Sequence, residues 1–187
     1  MRSFTYCPWC TRELEKRDKY LSCHSSCGFI HYDNPTLVVA AVVPILHTFL
    51  AHTGIPYQDL PDGGLVLVRR GIAPFEGAWC LPCGHVEKHG HPKDEAAKEV
   101  REESGLITRM EKLLCLCNPA PGEANHVVGS YLARPVGGAL QAGDDATEVG
   151  VFTKENAPTL CFRSHERLKQ QWFRGELGTL TGIDLML

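Results

Sequence analysis

The chain has 187 residues, 43% of them apolar and 22% charged, with a formal net charge of −3 and nine cysteines. That length holds one ordinary domain plus a small appendage. Mild acidity argues against unspecific nucleic-acid binding as the main task, because a phosphate backbone is met by excess base.

The N-terminus runs straight into MRSFTYCPWC with no apolar signal region. The most apolar run, residues 36–50, contains Pro44 and His47 and is too short to span a bilayer. The expectation is a cytoplasmic protein with no membrane partner. In such a compartment cysteines are metal ligands or core residues more often than disulfides. Cys7 and Cys10 form a C-x2-C pair, and Cys23 and Cys27 follow after twelve intervening residues. Four thiolates so spaced can close a tetrahedral zinc site, and a segment of about thirty residues needs such a staple to fold. Four unligated cysteines are the plain alternative. Tyr6, Trp9, Phe29 and Tyr32, interleaved with Arg12, Lys16, Arg17 and Lys19, read as a small core with solvated charges rather than an RNA-binding face. The other five cysteines (Cys80, Cys83, Cys115, Cys117 and Cys161) show no second paired knuckle and are expected to be buried or incidental. Cys115 and Cys117 alternate as on one face of a strand.

Asp33-Asn34-Pro35 is a turn signal that separates residues 1–32 from a second domain, 33–187. A β-rich run, 37–46, comes next. Residues 47–62 read as an excursion or loop, and GLVLVRR at 64–70 reads as a strand ending in two arginines. Arg69 and Arg70 can grip a diphosphate by charge-assisted hydrogen bonds, although a basic strand end is often merely solvated. Phe75 and Trp79 are candidates to stack a nucleobase; a core role is the alternative for Trp79.

The stretch GHVEKHGHPKDEAAKEVREESGL, residues 84–106, carries the chemistry. Its second half predicts a helix, with Pro92 at the first position, Asp94 and Glu95 in the first turn and Gly105 at a left-handed exit. Glu99, Glu102 and Glu103 are spaced i, i+3, i+4 and share one face; Glu95 extends the stripe by a turn. Ala96, Ala97, Val100 and Ser104 make a small, mostly apolar face that suits close packing on a sheet. Like charges so spaced repel unless a cation is shared, and Mg²⁺ or Mn²⁺ takes such oxygen ligands. A solvated acidic face softened by Asp94–Lys98 and Lys98–Glu102 pairs is the alternative.

The flanking residues resemble the Nudix box, G-x5-E-x7-R-E-U-x-E-E-x-G-U, where U is a bulky aliphatic. Gly84, Glu99, Val100, Glu102, Glu103, Gly105 and Leu106 fall in register. Two positions depart: Gly90 stands for the first Glu and Lys98 for the Arg, so both halves of a contact that orients the carboxylates are altered. The resemblance implies an α/β fold, the Nudix α/β/α sandwich, here with a small N-terminal zinc ribbon. The ribbons of such proteins usually carry C-x2-C-G at both knuckles. Counting back from Cys27-Gly28, His24 stands where the usual Cys would be, so Cys23 and His24 both remain open as fourth ligand to Zn²⁺.

Further strands are expected at 111–117, 125–134 and 148–152, and a final helix at 163–173 with Ser164 as its cap. The tail, GDDATEVGVF then LCFRSHERLKQQWF, is similar to zinc-ribbon Nudix hydrolases related to FAD and ADP-ribose pyrophosphatases. Family members often take an extra carboxylate from the loop before the late strand. Asp144, Asp145 and Glu148 are available and Glu148 is favoured, with an acidic surface loop as the alternative. His165 is a candidate substrate contact or a packing residue. The SQPWPFPxS motif of NADH pyrophosphatases is missing after the box, which counts against NADH.

The implied reaction is metal-dependent hydrolysis of the diphosphate linkage in a nucleoside diphosphate joined to another moiety, FAD or ADP-ribose favoured, releasing a nucleoside monophosphate. Glu99, Glu102, Glu103 and the Gly84 carbonyl would hold Mg²⁺ or Mn²⁺, and one carboxylate would take the proton. Two alternatives stand beside it. Gly90 and Lys98 suit a degenerate nucleotide sensor or an RNA- or protein-binding module, and the box also serves enzymes that remove oxidised nucleoside triphosphates. Many relatives are homodimers; the sequence leaves oligomeric state open.

Overall fold

The computed structural model describes residues 4–24, 27–46, 63–118, 125–178 and 184–186. The loop expected at 47–62 lies outside them. The chain divides into two compact units, Met1–Pro35 and Thr36–Leu187.

The first unit is a three-stranded antiparallel sheet of β1 (Leu14–Lys16), β2 (Tyr20–Cys23) and β3 (Ile30–Tyr32). The small aromatic core expected here does not form. Tyr6, Trp9 and Tyr32 are each more than half exposed, and among the described residues of this unit Cys7 is the buried one. So small a sheet has no second layer to cover its rings, and they pair at the surface instead, Trp9 on Phe29 and Tyr20 on Tyr32.

In the second unit, β4 (Thr36–Val42), β8 (Cys83–His85), β9 (Leu106–Cys117), β10 (His126–Gly138) and β12 (Asp184–Met186) form one sheet in the order β12-β9-β10-β4-β8. β4 runs parallel to β10 and antiparallel to β8. A smaller sheet joins β11 (Ala146–Phe152), β6 (Gly64–Arg70) and β5 (Pro44–Ile45), with β7 (Trp79–Cys80) on the other part of β6. Two helices complete the unit, α1 (Pro92–Ser104) and α2 (Arg163–Phe173). β4 shows why the layers form. Its side chains alternate between faces, so Val39 and Ala41 pack with Ala96 and Val100 of α1, while Ala40 and Val42 pack with Leu168 of α2. Helices therefore cover apolar sheet faces, the larger sheet mixed and the smaller antiparallel, in the α/β/α sandwich that the resemblance implies.

Several boundaries differ from expectation. β9 begins at Leu106 because Gly105, at φ 73°, turns the chain straight from helix to strand. Ser164 does not cap α2. Phe162 occupies that position without a side-chain cap bond, and Glu166 inside the first turn accepts the Leu160 N–H at 2.8 Å. Among the described residues no helix is long and apolar enough to cross a membrane.

Candidate active site

Helix α1 positions the acidic face. Pro92 opens it, the Nδ1 of His91 accepts the Lys93 N–H at 3.3 Å, and Ala96, Val100 and Ser104 are buried against the sheet. Turning that face inward fixes the carboxylates. Glu102 is exposed, Glu99 is half-buried and Glu103 is only 4% exposed.

Strand β8 meets them. Glu103 Oε2 accepts the Cys83 N–H at 2.9 Å. The Glu99 carboxylate lies in the space that a Cβ at position 84 would fill, so the approach requires glycine there. Both groups are hard to ionise without a cation. Burial, then repulsion from Glu102, raises the Glu99 pKa to about 7; burial chiefly raises that of Glu103 to about 8, against the Cys83 hydrogen bond. Asp144 and Asp145 add to the negative potential at Glu99 and Glu103 respectively, while Arg70 opposes it at Glu103.

This donor set fits a hard divalent cation: all oxygen, excess negative charge, partly buried. Among the described residues, the sets of ligating groups that bring their atoms within 4.8 Å of one another are thiol-containing. The helix carboxylates stand further apart, as uncompensated like charges do.

Lys98 does not pair with Asp94 or Glu102 as expected of a solvated face. Its Nζ lies 2.5 Å from Glu87 Oε1 and 3.8 Å from Glu95 Oε2. The Glu95 carboxylate leans on Gly90, occupying space that any side chain there would need, and its Oε2 is buried with no hydrogen bond. Glu87 thus gives Lys98 the acidic partner that a glycine at position 90 cannot, an exchange that sequence spacing does not reveal.

The remaining candidates separate. Arg69 bonds to the Gly77 carbonyl and to Glu148, each at 2.7 Å or less, so its charge and that of Glu148 satisfy each other. Arg70 donates its Nε to the Pro74 carbonyl at 2.7 Å and lies over the Phe162 ring. Phe75 is 51% exposed, edge-on to Phe162. Trp79 is half-buried, packed on Phe152 within the core beside α2. His165 is buried and accepts the Leu81 N–H at 3.3 Å through Nδ1, a packing position; burial holds its pKa down at about 3.

In the first unit Cys7, Cys10, Cys23 and Cys27 bring their sulfurs within 4.8 Å of one another, a set that could hold a metal. Cys10 and Cys23 are 3.4 Å apart, and Cys27 is 3.8 Å from Cys7. His24 points elsewhere, with its Nε2 2.7 Å from Glu15. Cys80 is buried, as expected, and with Cys83 and His165 it makes a second set that could hold a metal. Their own C-x2-C spacing in Cys80-Leu81-Pro82-Cys83 was the visible signal; His165 is too distant in sequence to have given one.

The sequence model of the NUDIX domain matches residues 52–172. An ADP-ribose pyrophosphatase of Methanocaldococcus jannaschii is 33% identical over 135 residues, 71% of this chain and 78% of that protein. A human 8-oxo-dGDP phosphatase is 32% identical over 108 residues, 56% of this chain but only 32% of its own length. Among solved structures, a Nudix hydrolase from Nitrosomonas europaea superimposes with a TM-score of 0.76 at 22% identity, covering 97% of both chains. With the box helix, its glutamates and the sandwich in place, the chain belongs to the Nudix hydrolase family.

Proposed function

We propose that this hydrolase is a pyrophosphatase that splits the diphosphate of a nucleoside diphosphate joined to another moiety, with ADP-ribose first among substrates and FAD second. The observation that carries this is the inward acidic face of α1, where Glu99 and Glu103 are held against β8 with their pKa values raised. The similarity to an archaeal ADP-ribose pyrophosphatase over most of both chains supports that substrate class. We further propose that residues 1–32 are a zinc ribbon with Cys7, Cys10, Cys23 and Cys27 as its ligands, that 33–187 form the hydrolase domain, and that the protein is cytoplasmic.

Glu99, Glu102, Glu103 and the Gly84 carbonyl would hold Mg²⁺ or Mn²⁺. The bound metal would neutralise phosphate oxygens and lower the pKa of water. Glu103 keeps Oε2 on the Cys83 amide, leaving Oε1 for a ligand. Arg70, tied through Nε, can turn its terminal nitrogens to a phosphate, whereas Arg69 is neutralised by Glu148 and orients the strand end. Phe75 supplies an exposed ring for a base, and Trp79 braces the strand behind it. The proton of the attacking water passes to a carboxylate. Asp144 and Asp145, which act on the glutamates, now stand ahead of Glu148, which the sequence favoured.

The test is a panel of ADP-ribose, FAD, NADH and 8-oxo-dGDP with Mg²⁺ or Mn²⁺, products separated by chromatography. Metal-dependent release of AMP from ADP-ribose is expected, and Glu102→Gln or Glu103→Gln abolishes it while the protein stays folded. Nucleotide binding without turnover would instead make the protein a sensor. Turnover of 8-oxo-dGDP alone would move it to nucleotide sanitation.

A further inference from the structure

Behind the carboxylates lies a cluster that the hydrolytic reaction does not use. Cys80 ends β7, Cys83 starts β8, and His165 projects from the first turn of α2. The two sulfurs and one imidazole nitrogen lie within 4.8 Å of one another. A fourth thiol stands next to them. The Cys161 N–H bonds to the Trp79 carbonyl at 3.0 Å, and its sulfur interacts with that of Cys80. Cys80 is fully buried and His165 is 3% exposed, so the group is closed to solvent on most sides.

We infer that Cys80, Cys83 and His165, with Cys161 as the adjacent fourth group, form a second structural zinc site that bolts α2 to the β7–β8 turn.

The chemistry suits zinc. Thiolate and imidazole select Zn²⁺ over the hard cations that oxygen donors take. Tetrahedral ligands at about 2.3 Å from zinc are about 3.8 Å apart, within the observed limit. The pair Cys80–Cys83 has the two-residue spacing of a zinc knuckle. Charge also balances. Two thiolates neutralise Zn²⁺, and a third would leave one negative charge where the Arg70 guanidinium already acts on Cys161. Binding takes two local rearrangements: Cys161, outside the set of atoms within 4.8 Å, closes in as the fourth group, and the lone pair of neutral His165 that now meets the Leu81 N–H at a long 3.3 Å passes to the metal.

The site sits one peptide from the catalytic face. The Cys83 N–H holds Glu103, and Gly84 receives Glu99. Fixing Cys83 through its sulfur would fix both contacts, so this zinc acts as a positioning device and not as a catalytic metal.

The experiment is metal content per chain, by elemental analysis of full-length protein made in zinc-supplemented medium and desalted. Two equivalents of zinc are expected. The double variant Cys80→Ser/Cys83→Ser should hold one, and so should Cys7→Ser/Cys10→Ser, in which replacement by Co²⁺ should still give thiolate-to-metal absorption. That second variant reads the site even if the first fails to fold. One equivalent in the native protein, lost entirely with Cys7→Ser/Cys10→Ser, overturns the inference. A Cys80–Cys83 or Cys80–Cys161 disulfide in anaerobically purified protein without a second zinc also overturns it, in favour of a dithiol couple. These readouts do not depend on which nucleotide is hydrolysed.

Discussion

The ammonium of Lys98 lies 2.5 Å from Glu87 Oε1, a pair joining the acidic helix to the loop that precedes it. Position 90, where the box resemblance calls for a glutamate, is glycine, and the Glu95 side chain leans into the room this leaves. A carboxylate three residues earlier thus restores the link between loop and helix, with a point charge in place of a planar fork. Glu87→Gln should therefore lower metal-dependent turnover by about 10- to 100-fold, the range for groups that orient metal ligands. The loss should appear mainly as a higher Mn²⁺ requirement, measured by titrating the metal at saturating substrate. An unchanged metal requirement would mean that the pair is a surface ornament, since Glu87 is largely exposed and Lys98 partly so.

Gly84 and Glu99 make a second close relationship. A methyl group at position 84 would meet the Glu99 carboxylate, the movable end of a side chain, and no backbone atom comes nearer. Gly84→Ala should leave the thermal midpoint nearly unchanged while displacing Glu99 and cutting kcat by at least tenfold. Comparing calorimetry with kinetics separates the two effects. A large drop in midpoint with normal specific activity of the folded fraction would contradict this arrangement.

What the sequence disclosed follows from which forces are local. Pro92 and Gly105 mark the ends of α1 because both act through their own φ angles, and β6 was legible as an unbroken apolar run. The first five residues of β9 were hidden, since a left-handed glycine permits an abrupt turn but does not announce one. Contacts across the fold were less visible still. Nothing local ties Glu87 to Lys98, and the meeting of His165 with Cys80 depends on a helix docking more than eighty residues later. Even the short-range clue of two cysteines three positions apart acquired meaning only with that docking.

Protonation gives a third prediction. The pKa values of Glu99 and Glu103, about 7 and about 8, lie above their ordinary value of 4.5. In metal-free protein the folded state therefore binds more protons than the unfolded state across this interval. The associated stability is fully present below pH 4.5 and is lost as pH rises through 7 to 8. Chelator-treated protein should melt at progressively lower temperature from about pH 5 to about pH 8. Glu103→Gln should flatten that slope, and Mn²⁺ should raise the midpoint more at about pH 8 than at about pH 5, because the cation competes with protons. A midpoint that climbs with pH over this range, equally in both proteins, would rule out the buried carboxylates as its source.

A fourth prediction concerns the three late carboxylates, Asp144 and Asp145 in the turn before β11 and Glu148 on that strand, which are not equivalent. Glu148 Oε1 is 2.6 Å from Arg69 Nη1, across paired positions of β11 and β6. Its charge is therefore already matched. Asp144 and Asp145 instead add negative potential at Glu99 and Glu103, the groups that most need a cation. If proton transfer or metal binding draws on this turn, Asp145→Asn or Asp144→Asn should reduce kcat by about 10²- to 10⁴-fold, as removal of a general base does. Glu148→Gln should cost far less and should be mimicked by Arg69→Met, because both dissolve the ion pair, the second removing the Gly77 hydrogen bond as well. The kinetic contrast between Glu148→Gln and Arg69→Met is decisive. A severe loss in the first with near-normal turnover in the second would assign the proton to Glu148, and its bond to Arg69 would then be a resting arrangement that substrate phosphate displaces.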